Sequence, residues 1–276
     1  MKIVQSVFLI ANLDKEDVKE MIPVMEKYFL SHGISFSMFT YTGICDVPEV
    51  PQVDLAVVLG GDGTVLFSSK VLFSRQIPIL GVNMGNVGFL TEVVREEWRD
   101  AFEKYQAGQL GISYRVMIKV SVLRKELLTA TFIGLNDGVV SASGSSKIIY
   151  YDVNLSGVVL GEYRADGLIV ATPTGSTAYS LAAGGPIVHP ETEALILTPI
   201  CPHSLSNRPV VIPGDEVVRV KISEKQRTDI ALTIDGRDVF PLLPGDVLTF
   251  EMMPHKTLLV RSDKRNFYEV VRAKLN

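Results

Sequence analysis

The central part of the N-terminal half reads Val57-Val58-Leu59-Gly60-Gly61-Asp62-Gly63-Thr64-Val65-Leu66. The run from Asp54 to Leu59 is apolar after its first residue, as expected for a strand that is covered on both faces. Two glycines follow, and a segment compatible with a helix begins near Thr64. The pattern therefore predicts a strand, a tight turn and a helix. The backbone N–H groups of such a turn favour an anion, and glycine lets a ligand approach the backbone closely.

A single carboxylate, Asp62, lies in the middle of this predicted anion-binding turn. An acidic side chain there would repel a phosphate unless it binds Mg²⁺ or accepts a proton from an attacking hydroxyl, so the combination suggests phosphoryl transfer. Gly-Gly-Asp-Gly is also a favourable turn sequence for backbone reasons alone. Taken by themselves, these four residues leave both interpretations open.

The composition limits the class of protein. The chain has 276 residues, which is enough for one large domain or two ordinary ones. It is 47% hydrophobic and 21% charged, as soluble globular proteins are, and its net charge of -4 argues against a general attraction to nucleic acid or anionic membranes. No apolar run approaches the roughly 20 residues that span a bilayer. The first residues show no signal-peptide cleavage pattern, and Cys45 and Cys201 have neither disulfide-framework nor metal-ligand spacing, so we expect a cytoplasmic protein.

The N-terminal part alternates between strand-like and helix-like segments. The pattern predicts strands at Val4–Ala11, Ile34–Phe39, Asp54–Leu59 and Ile77–Val82, a loop at Cys45–Gln52, and helices at Asp14–Ser31 and about Val94–Ala107. Asn12 or Asp14 is expected to cap the first helix. This alternation is typical of a parallel, Rossmann-like sheet. The first turn nevertheless lacks the Gly-x-Gly-x-x-Gly pattern of ordinary dinucleotide-binding domains.

The character of the sequence changes after Gly111, where short β-prone segments follow one another. These are Ile112–Arg124, Leu128–Leu135, Asp137–Ser141, Ile148–Leu155, Val158–Tyr163, Gly167–Thr172, Val210–Ile212, Val217–Ser223, Ile230–Ile234 and Val247–Glu251. Serial strands of this kind predict an all-β, sandwich-like second domain. A helix-compatible segment, Arg265–Leu275, is expected to return to the first domain. We therefore expect an α/β domain over 1–110 with 255–276, and a β-rich domain over 111–254.

Asn136-Asp137-Gly138 lies between two predicted strands. These residues are standard in hairpin turns. An adjacent amide and carboxylate could also grip a ribose diol or an adenine edge. Taken alone, the three residues favour the turn.

The segment from Arg164 to Pro186 is rich in small and hydroxyl-bearing residues. A strand is expected to end at Thr172-Pro173, and a short helix is expected from about Ser176 to Ala183, capped by Ser176 or Thr177. A capped helix between two sheets is one interpretation. So many small and polar residues make a poor core, however, so we favour a ligand site with Tyr179 as a stacking face.

With these clusters in this order, the sequence closely resembles the NAD kinase family. The matching pieces are Gly60 to Thr64, Asn83 to Gly85, Gly88 to Leu90, Leu135 to Asp137, Asp166 to Pro186, Pro202 to Pro209 and Asp235-Gly236. The likeness spans nearly the whole chain. The Gly-Gly-Asp-Gly piece alone is shared with lipid kinases and phosphofructokinases, whereas Asp166 to Pro186 is highly specific.

The resemblance implies transfer of the γ-phosphoryl group of ATP to the 2′-hydroxyl of the adenosine ribose of NAD. It also implies an α/β N-terminal domain, a β-rich NAD-binding C-terminal domain, a divalent cation such as Mg²⁺, and homodimers or homotetramers. Two other interpretations remain: a lipid kinase with the same glycine turn, and a non-catalytic dinucleotide sensor.

The family's functional residues can be carried over only where its motifs match this sequence. The match implies that Asp62 is the catalytic carboxylate and that Gly60, Gly61, Gly63 and Thr64 form the phosphate loop. The implied contacts with NAD are Asp62, Gly63, Asn136, Asp137, Lys147, Arg164, Asp166, Thr177, Ala178, Tyr179, Ser180, Leu181, Ala182 and Arg237. Two positions depart from the pattern, since bacterial relatives often carry Gln at the position of Arg237 and many relatives carry Glu at that of Asp137.

Overall fold

The computed structural model describes residues 4–43, 45–85, 87–144, 148–204 and 206–275. Lys147, one of the implied NAD contacts, lies outside these described residues. The chain divides into two compact units, an α/β unit formed by residues 1–114 and 255–276, and a β unit formed by residues 115–254.

The α/β unit contains seven strands and four α-helices among its described residues. In chain order these are β1 (Ser6–Asn12), α1 (Glu16–Ser31), β2 (Ser35–Tyr41), β3 (Leu55–Gly60), α2 (Asp62–Leu72), β4 (Ile79–Asn83), β5 (Val93–Val94), α3 (Trp98–Gln106), β6 (Ile112–Arg115), β19 (Thr257–Val260) and α5 (Phe267–Leu275). Short 3-10 helices at Phe73–Arg75 and Arg95–Glu97 extend α2 and precede α3.

The strands of the α/β unit form one sheet in the order β2-β1-β3-β4-β19-β6, with β5 paired to β4. The pairs β1–β2, β1–β3, β3–β4, β4–β5 and β4–β19 are all parallel. Strand β3 is buried along its whole length, which explains why its sequence is a continuous apolar run rather than an alternating one. The predicted parallel sheet is therefore confirmed.

Helix α1 packs on this sheet through Val18, Met21, Met25 and Phe29, whose spacing places them on one face. The predicted cap of this helix is wrong. Lys15 occupies the cap position without a side-chain hydrogen bond, because Asn12 Oδ1 accepts the backbone N–H of Asp14 instead. The only tryptophan of the sequence, Trp98, is 4% exposed within the same core.

The β unit contains twelve strands among its described residues. They are β7 (Ile118–Arg124), β8 (Leu127–Gly134), β9 (Asp137–Ala142), β10 (Ile149–Leu155), β11 (Val158–Ala165), β12 (Gly167–Ala171), β13 (Ala194–Ile200), β14 (Val210–Pro213), β15 (Val218–Ile222), β16 (Ile230–Ile234), β17 (Asp238–Leu242) and β18 (Val247–Met252). A 3-10 helix at Thr174–Thr177 and one helical turn, α4 (Tyr179–Ala182), follow β12.

Two six-stranded sheets make up the β unit, in the orders β11-β10-β15-β18-β7-β8 and β14-β13-β12-β9-β16-β17. Their neighbouring strands pair in antiparallel fashion. Both sheets contribute to one buried cluster, which includes Val120, Tyr151 and Phe250 from the first sheet and Val170, Leu197 and Leu232 from the second. The predicted sandwich is confirmed.

Three differences from the predicted strands have physical causes. The run Ile112–Arg124 is two strands, because the chain leaves the α/β sheet after Arg115 and enters a sheet of the β unit at Ile118. Strand β13 was not predicted, and it contains Pro199, which cannot donate to a ladder. Strand β14 pairs only with Ala194–Leu197, so this proline lies beyond that ladder. The other three missed strands are β17, an edge strand containing Pro241, and the short strands β5 and β19.

Helix α5 and the segment before it belong to the α/β unit, as predicted. Among the described residues, none of the helices combines the length and the apolar character that crossing a bilayer requires.

Candidate active site

The glycine turn joins the carboxyl end of β3 to helix α2, which begins at Asp62, two residues earlier than predicted. A side chain on Gly60 would overlap the side chain of Thr64, so this position requires glycine. The N–H of Thr64 donates to the carbonyl of Gly61 at 2.9 Å, which closes the first turn of the helix. Asp62 is thus held at the positive end of the helix dipole, where a negative charge is favoured.

The Asp62 carboxylate accepts four hydrogen bonds from a loop that lies 27 to 29 residues later. Its Oδ2 accepts from the N–H of Phe89 at 2.9 Å. Its Oδ1 accepts from the N–H of Leu90 at 3.1 Å, the N–H of Thr91 at 3.2 Å and Thr91 Oγ1 at 3.0 Å. The two oxygens of a carboxylate offer about four acceptor positions, two on each, so Oδ2 retains capacity while Oδ1 is fully used.

Asn83, the last residue of β4, fixes the direction of the Thr91 hydroxyl. Asn83 Nδ2 donates to Thr91 Oγ1 at 2.6 Å, so that hydroxyl is an acceptor there and its own hydrogen is left for Asp62. Gly88 completes the arrangement, since a side chain at this position would overlap the Asp62 carboxylate and Thr91 Oγ1. The sequence interpretation did not include Thr91, and its position directly after Gly88-Phe89-Leu90 is the signal that could have indicated it.

In the β unit, Asn136-Asp137-Gly138 does not form a hairpin. Strand β8 pairs with β7 in one sheet, whereas β9 pairs with β12 and β16 in the other. The chain therefore crosses from one sheet to the other at Leu135 and Asn136, and Asp137 and Gly138 begin β9. A side chain on Gly138 would approach the Phe250 ring to 2.8 Å, which explains the glycine as a packing requirement.

Asp235 organises this crossing. Its carboxylate accepts the N–H of Leu135 at 2.8 Å through Oδ2, and those of Asn136 at 2.8 Å and Asp137 at 3.1 Å through Oδ1. Asp235 itself has a left-handed backbone, with φ of 49°, and Gly236 follows with φ of 68°. Asp is one of the few residues other than Gly that tolerate this conformation, so the Asp-Gly pair serves the turn as well as the three amides.

Asp137 is 4% exposed, and its backbone is held beside the carboxylate of Asp235. Burial, and then the negative charge of Asp235, raise the pKa of the Asp137 carboxyl from 3.8 to about 7. Burial also raises the pKa of Asp235, and the three backbone N–H groups oppose that shift. These donors favour Asp235 as the charged member of the pair and Asp137 as the member that gains a proton.

The predicted helix after Thr172 is a 3-10 turn, Thr174–Thr177, followed by the single turn α4. The predicted caps are wrong, because Ser176 Oγ bonds the carbonyl of Pro173 at 2.6 Å and accepts the N–H of Val188 at 3.1 Å. Thr177 Oγ1 likewise donates backward, to the carbonyl of Thr174 at 3.3 Å.

Thr172 joins this turn to the segment that contains Asn136. Its N–H donates to the carbonyl of Asn136 at 2.8 Å, and its Oγ1 donates to the carbonyl of Leu135 at 2.6 Å. A side chain on Gly175 would overlap the Asn136 carbonyl, so glycine is required for this close approach.

These segments border a cavity of about 350 Å³ within the β unit. Its lining residues are Asn136, Asp137, Val139, Ser141, Ala178, Tyr179, Thr233, Asp235 and Gly236. Four of the implied NAD contacts therefore meet at one cavity: Asn136, Asp137, Ala178 and Tyr179. The Tyr179 side chain is 49% exposed, so part of it is open to a ligand. Thr233, Ser141 and Val139 were not singled out from the sequence, in which they read as ordinary strand residues.

The remaining implied contacts occupy other positions. Ser180 is buried and its Oγ hydrogen-bonds Thr198 Oγ1 at 2.9 Å, whereas Leu181 is partly buried and Ala182 is exposed. Arg164 and Asp166 are exposed around the end of β11, with the Arg164 guanidinium 5.6 Å from the centre of the Tyr150 ring. Arg237 is exposed in the turn between β16 and β17.

No group of three or more His, Cys, Asp or Glu side chains in the described part of the chain has the arrangement of a metal site. One carboxylate with substrate phosphates and water is a common environment for Mg²⁺. Asp62 Oδ2 has one remaining acceptor position, which fits either such a metal contact or an attacking hydroxyl, but not both at once.

A fixed carboxylate in a glycine turn at a helix N-terminus, together with a second unit whose cavity carries amide, carboxyl and hydroxyl side chains, is compatible with a nucleotide-dependent kinase. Two solved structures agree with that class. The chain matches a yeast NADH kinase complexed with NADH at a TM-score of 0.86, with 26% identity, over 100% of this chain and 88% of that one. It matches an NAD kinase from Archaeoglobus fulgidus in complex with ATP at a TM-score of 0.72, with 25% identity, over 96% and 97%.

Sequence comparison is more specific. Residues 7–110 match the ATP-NAD kinase N-terminal domain, and residues 135–262 match the ATP-NAD kinase C-terminal domain. The NAD kinase of Treponema denticola is 38% identical over 272 residues, which is 98% of this chain and 96% of that protein. The NAD kinase of Geobacter sulfurreducens is 42% identical over 261 residues, which is 94% and 89%. The chain belongs to the ATP-NAD kinase family.

Proposed function

We propose that this protein transfers the γ-phosphoryl group of ATP to the 2′-hydroxyl of the adenosine ribose of NAD and so makes NADP. Membership of the family and the likeness to kinases solved with NADH and with ATP support this reaction. The observation that carries the proposal is the Asp62 carboxylate, held at the start of α2 by four donors with one oxygen incompletely used.

Asp62 is proposed as the acceptor of the proton that the 2′-hydroxyl loses as it attacks the phosphorus. Its Oδ2 has one donor, the N–H of Phe89, and therefore has room for the ribose hydroxyl. General-base assistance of this kind is typically worth about 10²–10⁴-fold. The three bonds to Oδ1 hold the carboxylate in place, so little orientation is lost when the substrate binds.

Gly60, Gly61, Gly63 and Thr64 are proposed to form the phosphate loop. The start of α2 supports this role because the first N–H groups of a helix are directed outward and favour an anion. Gly63 is exposed and has no side chain to obstruct a phosphate. Phosphoryl transfer passes through a loose transition state, so positioning and charge neutralisation supply much of the catalysis.

The cavity of the β unit is proposed to bind the NAD molecule through Asn136, Asp137, Ala178 and Tyr179. An amide and a carboxyl group at adjacent positions suit a ribose diol or the edge of an adenine. The open Tyr179 ring suits stacking. Asp62, Gly63, Lys147, Arg164, Asp166, Thr177, Ser180, Leu181, Ala182 and Arg237 complete the proposed contacts with NAD.

A divalent cation, Mg²⁺, is proposed to accompany ATP. No residue is assigned as its ligand, and phosphates and water would supply its contacts. The cation would neutralise charge on the phosphates.

A homodimer or homotetramer in the cytoplasm completes the proposal. Several large apolar side chains of the β unit are exposed, among them Leu127, Leu128, Val158 and Val159 at the ends of strands. Exposed apolar groups of this kind support association between copies of the chain. Light scattering after size-exclusion chromatography would measure the assembly.

The reaction is tested by incubating the protein with ATP, Mg²⁺ and NAD, and following NADP with an NADP-specific dehydrogenase. We expect NADP to form, and Asp62→Asn to lower kcat by about 10²–10⁴-fold. Asp17→Asn is the matched control, since Asp17 lies on α1 and its carboxylate is 4.0 Å from Arg95 on the surface of the same unit. Substantial activity in a folded Asp62→Asn protein would contradict the proposed base. Binding of NAD without turnover would favour a dinucleotide sensor, and turnover with diacylglycerol instead of NAD would favour a lipid kinase.

A further inference from the structure

The loop that holds Asp62 is itself held by the C-terminal segment of the chain, residues 262–275, within the α/β unit. Arg265 Nη1 donates to the carbonyl of Glu92 at 3.0 Å. The N–H of Ser262 donates to Glu92 Oε2 at 3.1 Å. Glu92 directly follows Thr91, whose backbone and hydroxyl both bind the Asp62 carboxylate. Arg265 therefore binds the residue that directly follows the one bound to Asp62, and a single peptide bond joins Thr91 to Glu92.

The Arg265 guanidinium is firmly oriented. It forms a bidentate salt bridge with Glu97, in which Nη1 donates to Oε2 at 2.7 Å and Nη2 donates to Oε1 at 3.0 Å. The side chains of Arg265 and Glu97 are 27% and 16% exposed, so this pair is better shielded than a surface pair. The hydrogen bonds from Arg265 hold the pKa of Glu97 below its ordinary value, which keeps Glu97 charged at neutral pH. A planar guanidinium suits this geometry because its N–H groups have fixed directions.

The opposite end of the loop also contacts the C-terminal segment. The Phe89 ring lies 6.5 Å from the Phe267 ring and 5.5 Å from Lys274 Nζ, measured to ring centres. The N–H of Phe89 is the donor to Asp62 Oδ2. The C-terminal segment thus contacts both ends of residues 89–92.

We infer that Arg265 is a positioning residue for the phosphoryl-transfer step, which acts on Asp62 through the loop 88–92. Arg265 anchors the Glu92 carbonyl to Glu97, and this fixes the three backbone N–H groups that aim the carboxylate. The inference rests on the proposed role of Asp62 as the proton acceptor. It assigns to the C-terminal segment a function in catalysis besides its place in the α/β unit.

The test compares Arg265→Met with Lys104→Met. Lys104 belongs to the same charged surface, where it bonds Asp100 at 2.9 Å and Asp263 at 2.7 Å, but these contacts do not include residues 88–92. A displacement of about 1 Å at a reacting group can cost about 10²-fold in rate. We expect Arg265→Met to lower kcat by about 10- to 100-fold while KM for NAD and for ATP stays within about twofold, because a transition-state contact is lost rather than uniform binding.

Lys104→Met should retain the kcat of the unmodified protein. Arg265→Lys should recover part of the lost kcat, since it keeps a cation beside Glu97. It lacks the planar guanidinium that also donates to the Glu92 carbonyl. Each rate is measured per folded molecule, at a temperature well below the unfolding transition of that variant. If Arg265→Met fails to fold, Arg265→Lys carries the test, with a reduced kcat and an unchanged KM as the expected result.

Three outcomes would overturn the inference. The first is an unchanged kcat in Arg265→Met while Asp62→Asn is inactive, which would leave the role of Asp62 standing. The second is an equal loss of kcat in Lys104→Met, which would indicate general loosening of the charged surface. The third is an increase of KM at constant kcat. Activity in Asp62→Asn would instead overturn the proposed base, and this inference with it.

Discussion

Thr91 donates two hydrogen bonds to one oxygen of Asp62, from its N–H at 3.2 Å and from its Oγ1 at 3.0 Å. The same hydroxyl accepts a hydrogen bond from Asn83 Nδ2 at 2.6 Å. Asn83, at the end of β4, donates to the Thr91 hydroxyl, and this hydroxyl donates to Asp62, at the start of α2. The two hydrogen bonds together give the hydroxyl a single direction. The Asp62 carboxylate is therefore oriented by a side chain as well as by backbone groups.

Replacing Thr91 by Val should lower kcat about 10-fold, because the side-chain donor to Asp62 is lost while the shape is kept. The Asn83 amide also loses the Thr91 hydroxyl as an acceptor, which should lower the stability of the protein. Thr91→Ser is the matched control, since it keeps the hydroxyl. Steady-state kinetics with NAD and ATP would measure the effect, and equal rates for the Val and Ser variants would show that the hydroxyl does not contribute.

The stability of the protein should fall with rising pH because of Asp137. Its pKa of about 7 in the folded chain exceeds its ordinary value of 3.8, so the folded chain retains a proton that the unfolded chain loses between about pH 4 and pH 7. This contribution is fully present below about pH 4 and is lost as the pH rises through 7. The difference between the two pKa values, at about 1.4 kcal/mol for each pKa unit, limits this contribution to the free energy of unfolding to about 4 kcal/mol.

Asp137→Asn carries no such proton and should remove this dependence. The variant should be more stable than the unmodified protein at pH 8, and the difference should shrink as the pH approaches 4. Urea unfolding followed by far-ultraviolet circular dichroism at several pH values would measure it. A constant difference across the range would contradict the raised pKa.

The pair of Arg124 and Asp246 should matter more for stability than a surface pair in the same sheets. Arg124 Nε and Nη2 each donate to Asp246 at 2.9 Å, and the Asp246 side chain is only 1% exposed. Arg124→Met should destabilise the protein by about 3 kcal/mol, because it leaves a buried carboxylate without its partner.

Lys119→Met provides the comparison. Lys119 lies 3.5 Å from Glu251, and their side chains are 42% and 40% exposed, so this change should cost less than about 1 kcal/mol. Urea unfolding of the two variants side by side would measure the difference between their free energies of unfolding. Equal midpoints would mean that burial of Asp246 adds nothing to its pair.

Features set by local sequence were predictable. Strand β3, the glycine turn and helix α2 follow one another without a gap, and a continuous apolar run with two glycines suffices to indicate them. Asp62 stood out for the same reason, because its position within the glycine turn is visible in the local sequence. The match of several separate motifs to one family indicated the reaction.

Features set by distant partners were not predictable. Asn136-Asp137-Gly138 has the composition of a hairpin turn, and only the pairing of β8 and β9 with different strands excludes one. The predicted helix caps are wrong because the side chains of Asn12 and Ser176 form hydrogen bonds with other nearby backbone groups. These groups are the N–H of Asp14 and the carbonyl of Pro173, neither of which needs a helix cap. The contacts of Thr91 and Arg265 join segments that no local pattern relates.

The order of strands in the α/β sheet has a consequence for synthesis of the chain on the ribosome. Strand β19 lies between β4 and β6, yet it is made only after the whole β unit. Until residues 257–260 emerge, β6 lacks its neighbouring strand, and an exposed edge of this kind can pair with other chains. At about 5–20 residues per second, the wait lasts on the order of 10 s. The nascent protein therefore passes through a stage in which all strands of the β unit have been synthesised but the sheet that carries Asp62 is incomplete.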